Sequence, residues 1–348
     1  VISSSPSSSD AVIQLRGVVK TFGSKVAVNN LDLTIPAQST YGFIGPNGAG
    51  KTTTIRMIMS IIFPDSGDVR VLGKNSAVES KDRIGYLPEE RGLYKKMKVG
   101  AFLHYMGRLK GLDGAGLDSR VRNWLDRVYL GETYKKRCEE LSKGMQQKVQ
   151  FIAAVIHEPD LIILDEPFSG LDPVNRRLLR GLIDDQRTQG RTLIFSTHAM
   201  FEAEQLCTHL FMIHQGKKVI DLPLAEVFRQ HDPNALMLET INPSDAQSTA
   251  WESCEGVETA DVVGGTVQIT LNSSSTPQEV MPRLFAMAPI RKLEIKRPNL
   301  EDIFVKFVGG DMAALNEEKE EFMDAKTRQL APVDSSSSNI QTYAGGGR

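Results

Sequence analysis

Cysteine is scarce: the 348 residues hold three, Cys138, Cys207 and Cys254, widely separated and with no C-x-x-C pair. That usage excludes a disulfide framework and a cysteine-built metal or redox site, and it fits a reducing compartment. No apolar run approaches the ~18 residues that a membrane span needs; stretches such as Phe151-Ile-Ala-Ala-Val-Ile156 are far too short. Charge of one sign is also missing, with 41 Lys and Arg against 43 Asp and Glu, a formal net charge of -2. A balanced chain carries no global footprint for nucleic acid, so none is expected as a partner. The clusters Lys95-Lys-Met-Lys98 and Lys135-Lys-Arg137 read as solvated faces. Residues 1–10 have neither a basic nor an apolar leader region and read as a flexible tail. These absences leave a large soluble chain, expected in the cytoplasm, long enough for one large domain or two moderate ones.

What is present is organised around Gly45-Pro-Asn-Gly-Ala-Gly-Lys-Thr52, a G-x-x-x-x-G-K-T string. Ser39–Ile44 before it reads as a strand and Thr53–Met59 after it as a helix, the context in which the string is a nucleotide-binding P-loop. Glycines 45, 48 and 50 let backbone N–H groups converge on a phosphate, with Pro46, Asn47 and Ala49 between them, and the helix beginning near Thr53 aims its positive end at the same anion. Lys51 would reach the β- and γ-phosphates of ATP, and the Thr52 hydroxyl would hold Mg²⁺.

Further along, Asp160-Leu-Ile-Ile-Leu-Asp-Glu-Pro167 reads as a fully buried strand of a parallel sheet ending in two carboxylates. Open α/β sheets place ligands at that edge. Asp165 would complete the Mg²⁺ shell and Glu166 would take a proton from an attacking water; the alternative is an exposed acidic loop. Arg191–Phe195 reads as another buried strand, with Ser196-Thr-His198 at its carboxyl end. His198 there is a candidate γ-phosphate contact, or a structural histidine. Ser142, before a helical run through Ile156, is a helix N-cap or part of a second phosphate cradle with Gly144. Phe22 is a core aromatic or an adenine stacker. Glu89 and Glu90 are a solvated loop face, or one of them faces Mg²⁺ or a partner. Residues 98–137 read as mainly helical, with Phe102, Leu103, Tyr105, Met106 and Leu109 as a buried stripe.

In this order the motifs resemble the ATP-binding subunits of ABC transporters: Phe22, Walker A (Gly45 to Thr52), a Q-loop position at Glu89, the signature Leu141-Ser-Lys-Gly-Met-Gln146, Walker B (Leu161 to Asp165) with Glu166, the D-loop (Ser169 to Asp172) and the switch His198. The resemblance covers about residues 11–220. It implies an α/β P-loop NTPase domain with a helical subdomain, and it turns Phe22 into an adenine contact. It implies two such domains paired as homodimer or heterodimer, each P-loop facing Ser142 and Gly144 of the other, with Lys143 adding a phosphate contact or pointing to solvent, on integral-membrane permease subunits at the cytoplasmic face of the membrane. Two positions depart from the family pattern: Glu89 stands where glutamine is usual, and Lys143-Gly144-Met145 where Gly-Gly-Gln is usual. The string Leu87-Pro-Glu-Glu-Arg-Gly-Leu-Tyr94 resembles the NatA-like branch that serves sodium or multidrug extrusion.

Past 220 the pattern changes. Ala235–Glu239, Thr266–Leu271 and Ile290–Lys296 read as strands, Pro277–Ala288 as a helix despite Pro282, and Asn299–Phe307 as a closing helix capped by Asn299. Residues 221–310 are expected to form a small C-terminal α+β domain for dimerisation, regulation or structural cover. Residues 311–348, charged and then rich in Ser and Gly, are expected to be mostly disordered.

Overall fold

A computed structural model describes residues 11–90, 92–242 and 249–308. The tails expected at 1–10 and 311–348 lie outside them. The main sheet has six strands in the order β5-β6-β7-β3-β8-β9. Its centre is β3 (Thr40–Ile44), β6 (Leu161–Asp165) and β7 (Thr192–Thr197), in which every residue is buried. Strands covered on both faces need continuous rather than alternating hydrophobicity, which is why these runs are so legible. β5 (Ile84–Leu87) pairs with β6 in parallel, and β8 (His209–His214) with β3. β9 (Lys217–Pro223) closes the edge antiparallel to β8 and carries the sheet past residue 220.

A second, antiparallel sheet, β2-β1-β4, is built from β1 (Ala11–Phe22), β2 (Lys25–Pro36) and β4 (Ser66–Val71). Its Ile13, Leu15, Leu33 and Ile35 share one hydrophobic core with Phe43 of β3, Ile163 of β6, and Ile55 and Ile58 of α1 (Lys51–Ile58). The parallel sheet thereby supplies the carboxyl edge, and the antiparallel one supplies the Phe22 hairpin beside it.

The stretch expected to be helical from 98 to 137 resolves into α2 (Val99–Leu109), α3 (Ala115–Arg127) and short 3-10 turns at Gly131–Thr133 and Cys138–Glu140. The expected buried stripe on α2 is corrected. Val99, Phe102 and Leu103 are buried, but Tyr105 is 41% exposed and Leu109 54%. Tyr105 and Leu109 lie four residues apart and therefore share the other face of the helix. Tyr105 packs edge-on against Tyr94 instead. Next comes α4 (Lys143–Val155), capped by the Ser142 hydroxyl, which accepts from Met145 N at 3.3 Å. α5 (Pro173–Thr188) is capped by Asp172, accepting from Asn175 N at 2.9 Å, with Pro173 in its first turn. α6 (Met200–Leu206) joins β7 to β8, and α7 (Leu224–Gln230) follows β9.

The C-terminal region forms a third sheet, β11-β12-β10-β13, wholly antiparallel. Its strands are β10 (Ala235–Thr240), β11 (Val257–Val263), β12 (Thr266–Leu271) and β13 (Ile290–Ile295). Alternate residues Leu236, Leu238, Val267 and Ile269 pack on Trp251 and on Val280 and Leu284 of α8 (Pro277–Met287). Pro277 sits in the first turn of α8, and Thr276 with Glu279 forms its capping box. β11 escaped the sequence reading because, as an edge strand, it is largely exposed and shows no apolar alternation. A helix begins at Leu300, and Asn299 caps it by accepting from Asp302 N at 2.7 Å.

Candidate active site

The loop after β3 turns through Gly45 at φ 155° and Gly50 at φ 113°. A Cβ on Gly45 would stand 2.2 Å from the Ile213 carbonyl oxygen, and one on Gly50 2.5 Å from that of Ala27. Neighbouring backbone occupies the space any side chain would need, so both positions require glycine. Lys51, 7% exposed, folds its ammonium back to donate to the carbonyls of Gly45 (2.6 Å) and Pro46 (3.1 Å). Burial lowers its pKa, against the opposing pull of Glu166, Asp165 and Glu89.

Registers bring the carboxylate edge to the same place. Asp165 lies opposite Ser196, and Ile44 opposite Thr197. The Ser196 hydroxyl donates to Asp165 Oδ1 and accepts from Glu166 N at 3.0 Å. Thr52 Oγ1 lies 3.4 Å from Asp165 Oδ1. Asp165 Oδ2 is buried with no hydrogen-bond partner, and burial raises the pKa of the carboxyl. A fully buried carboxylate oxygen without a donor is costly unless a cation meets it. With the Thr52 hydroxyl alongside, this donor set fits Mg²⁺, which takes one or two protein oxygens and leaves the rest of its shell to phosphate and water.

Glu166 adopts a left-handed backbone at φ 48°, a costly conformation for a non-glycine residue. Its Oε1 lies 3.0 Å from His198 Nδ1, and burial raises its pKa against the lowering contact with His198.

A cavity of about 280 Å³ joins these parts: Phe22, Asn47, Gly48, Gly50, Lys51, Thr52, Thr53, Glu89 and Glu166 all line it. Phe22 is 52% exposed, which excludes the core reading and leaves a ring face free for an aromatic ligand. Gly45, Pro46 and Ala49 form the loop beneath, and Ala49 N donates to the Pro46 carbonyl at 3.2 Å. Ser142, Lys143 and Gly144 are not brought to this cavity. Lys143 lines a separate one of about 700 Å³ with Glu89, Gln146, Gln147 and Ser169. Ser196 is the member of this cluster that sequence reasoning passed over; its position opposite Asp165 depends on strand register, which the string alone does not give.

The family model described as ABC transporter matches residues 28–169, and one for the C-terminal domain of DrrA1-3-like ATP-binding proteins matches residues 223–308. The uncharacterized ABC transporter ATP-binding protein YhaQ of Bacillus subtilis is 42% identical over 296 residues, 84% of this chain and 97% of that relative. The Nod factor export ATP-binding protein I of Sinorhizobium fredii is 33% identical over 312 residues, 88% of this chain and 89% of that protein. A solved ATP-binding subunit of an ABC transporter superposes with TM-score 0.59 at 27% identity, covering 63% of this chain and 92% of that one. CbiO1 from Clostridium perfringens, part of the ABC transporter complex cbiONQ, shares the fold with TM-score 0.56 at 23% identity, covering 64% and 92%. The chain belongs to the ATP-binding proteins of ABC transporters, a family that hydrolyses ATP.

Proposed function

We propose that this chain is the ATPase subunit of an ABC export system, binding Mg-ATP, pairing with a second ATPase subunit and driving conformational change in membrane permease subunits at the cytoplasmic face. The observation that carries this reading is the convergence of Lys51, Thr52, Asp165, Glu166 and His198 on one sheet edge beside one cavity. Export is favoured by the Sinorhizobium fredii relative, which is named for Nod factor export. The Leu87–Tyr94 wording favours the NatA-like branch within it. In this reading residues 11–220 are the ATPase domain and 221–310 an accessory domain.

Each residue then has a chemical task. Phe22 stacks on the adenine, and backbone N–H groups between Gly45 and Thr53 cradle the phosphates. Lys51 exchanges its two loop carbonyls for phosphate oxygens, a charge-assisted contact in place of neutral ones. Thr52 and Asp165 hold Mg²⁺, with Glu89 within the same cavity to extend the shell. The metal supplies neutralisation of charge on the phosphates. Glu166 takes the proton of the attacking water, and its burial raises its basicity. His198 fixes the orientation of Glu166 through the 3.0 Å contact and faces the γ-phosphate side. Ser142, Lys143 and Gly144, remote from the chain's own cavity, serve the nucleotide of the paired subunit, whether a second copy or a sister ATPase chain. Among the described residues no helix is long and apolar enough to cross a membrane; in this reading the permease subunits are separate chains.

Affinity purification of the full chain from detergent-solubilised membranes tests this. Recovery of a polytopic membrane protein is the expected result; recovery of only soluble or ribosomal partners would overturn it.

A further inference from the structure

The cavity beside the P-loop contains a second cation for which neither the P-loop pattern nor the carboxylate edge accounts. β1 and β2 turn back on each other so that Phe22 and Lys25 face one another across the hairpin. Both side chains line the cavity. The Lys25 ammonium reaches the phosphate loop: a Cβ built on Gly48 would lie 3.5 Å from its Nζ. Lys20 on the same hairpin is engaged, donating to Asp65 at 2.7 Å with its ammonium 5.5 Å from the Phe22 ring centroid. The Lys25 side chain makes no hydrogen bond or ion pair among the described residues. An exposed lysine has no need of a partner, but this one brings a second positive charge to the glycine loop beside Lys51.

Lys51, Glu89 and Glu166 line the same cavity as Phe22 and Lys25. Lys25 is paired with Phe22 across the hairpin, and its ammonium approaches Gly48 of the loop. A nucleotide with its base on Phe22 and its terminal phosphate at Lys51 would pass its inner phosphates beneath the Lys25 ammonium. We propose that Lys25 contacts the α- and β-phosphate oxygens of the bound nucleotide, recognising the diphosphate portion that ADP and ATP share. The inference rests on the reading of this cavity as the nucleotide site. Because the contact is common to substrate and product, it contributes uniform binding and does not discriminate the transition state. It differs in this from Lys51, which sits among the carboxylates at the terminal-phosphate end.

The test is calorimetric titration of the full chain with Mg-ADP and with the non-hydrolysable Mg-AMP-PNP, in the wild type, Lys25→Gln, Lys25→Arg, Phe22→Ala and Lys51→Ala. Lys25 is exposed, so its variants keep the fold. Lys25→Gln is expected to weaken both nucleotides by the same factor, about fivefold for one partly solvated charge contact. The deficit should shrink at high salt, and Lys25→Arg should restore most of the affinity. If Lys25→Gln binds both nucleotides like the wild type, or loses only the triphosphate, while Phe22→Ala weakens both, the assignment of Lys25 is wrong and the cavity stands. If Phe22→Ala and Lys51→Ala also leave affinity unchanged, the nucleotide-site reading falls, and the role of Lys25 with it.

Discussion

Ser196 shows how one hydroxyl can engage two neighbouring acidic residues at once. It donates to Asp165 Oδ1 and accepts from the N–H of Glu166, whose backbone is held at φ 48°. Ser196→Ala removes both bonds, leaving Asp165 Oδ1 with only the 3.4 Å contact to Thr52 Oγ1 and the Glu166 N–H without its acceptor, beside the unpartnered Oδ2. Each lost buried bond costs about 1–3 kcal/mol. We expect a melting temperature several degrees lower and turnover reduced about tenfold, read by thermal denaturation and steady-state ATP hydrolysis. At Gly50 the backbone leaves no room for a Cβ and lies at φ 113°. Gly50→Ala should destabilise the chain by about 2–4 kcal/mol and weaken nucleotide binding, checked by urea unfolding and nucleotide titration. Lys51, Asp165, Glu166 and His198 were legible in the sequence because each abuts a continuous apolar strand or a glycine loop. Ser196 and Lys25 were not, because their roles come from cross-strand register.

At the scale of elements, the apolar runs of β3, β6 and β7 declared themselves as buried parallel strands, whereas α2 did not reveal its phase. Five apolar side chains within eight positions populate both faces of a helix, and only packing decides that Phe102 and Leu103 go inward while Tyr105 and Leu109 stay out. The β8–β9 hairpin and α6 are short and interleaved with polar residues such as His209, Gln215 and Lys217, so their pattern is weak until the sheet is assembled. The connection between α4 and β6 holds a pH-sensitive contact. His157 Nε2 donates to the Ile84 carbonyl at 3.1 Å, and burial lowers the imidazole pKa to about 4. The unfolded chain takes this proton first, near pH 6.5. The contribution is therefore fully present above about pH 6.5 and is lost as the pH falls to about 4. Linkage gives ~1.4 kcal/mol per pH unit across that window, or about 3 kcal/mol in all. Urea midpoints measured between pH 7 and 4 should fall less steeply for His157→Gln than for the wild type. Asp65, which hydrogen bonds from Lys20 and Thr21 hold at about 2, stabilises the fold above about pH 4 and loses that contribution only as the pH falls on toward about 2.

The whole molecule keeps its hydrophobic side chains in separate clusters. One core joins the antiparallel and parallel sheets around Phe43 and Ile163, and another is built by β10–β13 and α8 around Trp251. The order β5-β6-β7-β3-β8-β9 could not be read from the chain, since β3 inserts between strands that come much later and nothing local encodes that crossover. The change of pattern past residue 220 was legible, and the third sheet, β10–β13 with α8, lies beyond it. The chain contains two tryptophans, Trp124 on α3 and Trp251 in the C-terminal core. Fluorescence of a Trp251→Phe variant therefore reports the first region, and that of Trp124→Phe the second. Because ligand stabilises only what binds it, saturating Mg-ADP should raise the midpoint seen through Trp124 more than that seen through Trp251.

The central claim is that this sheet edge hydrolyses Mg-ATP with Glu166 as the base, and one pair of measurements on wild type and Glu166→Gln addresses it directly. The amide keeps the shape of the side chain and loses its capacity to accept the proton. The account predicts that Glu166→Gln binds Mg-ATP at least as tightly as the wild type while its steady-state turnover falls about a hundredfold or more. Undiminished hydrolysis in Glu166→Gln would contradict it.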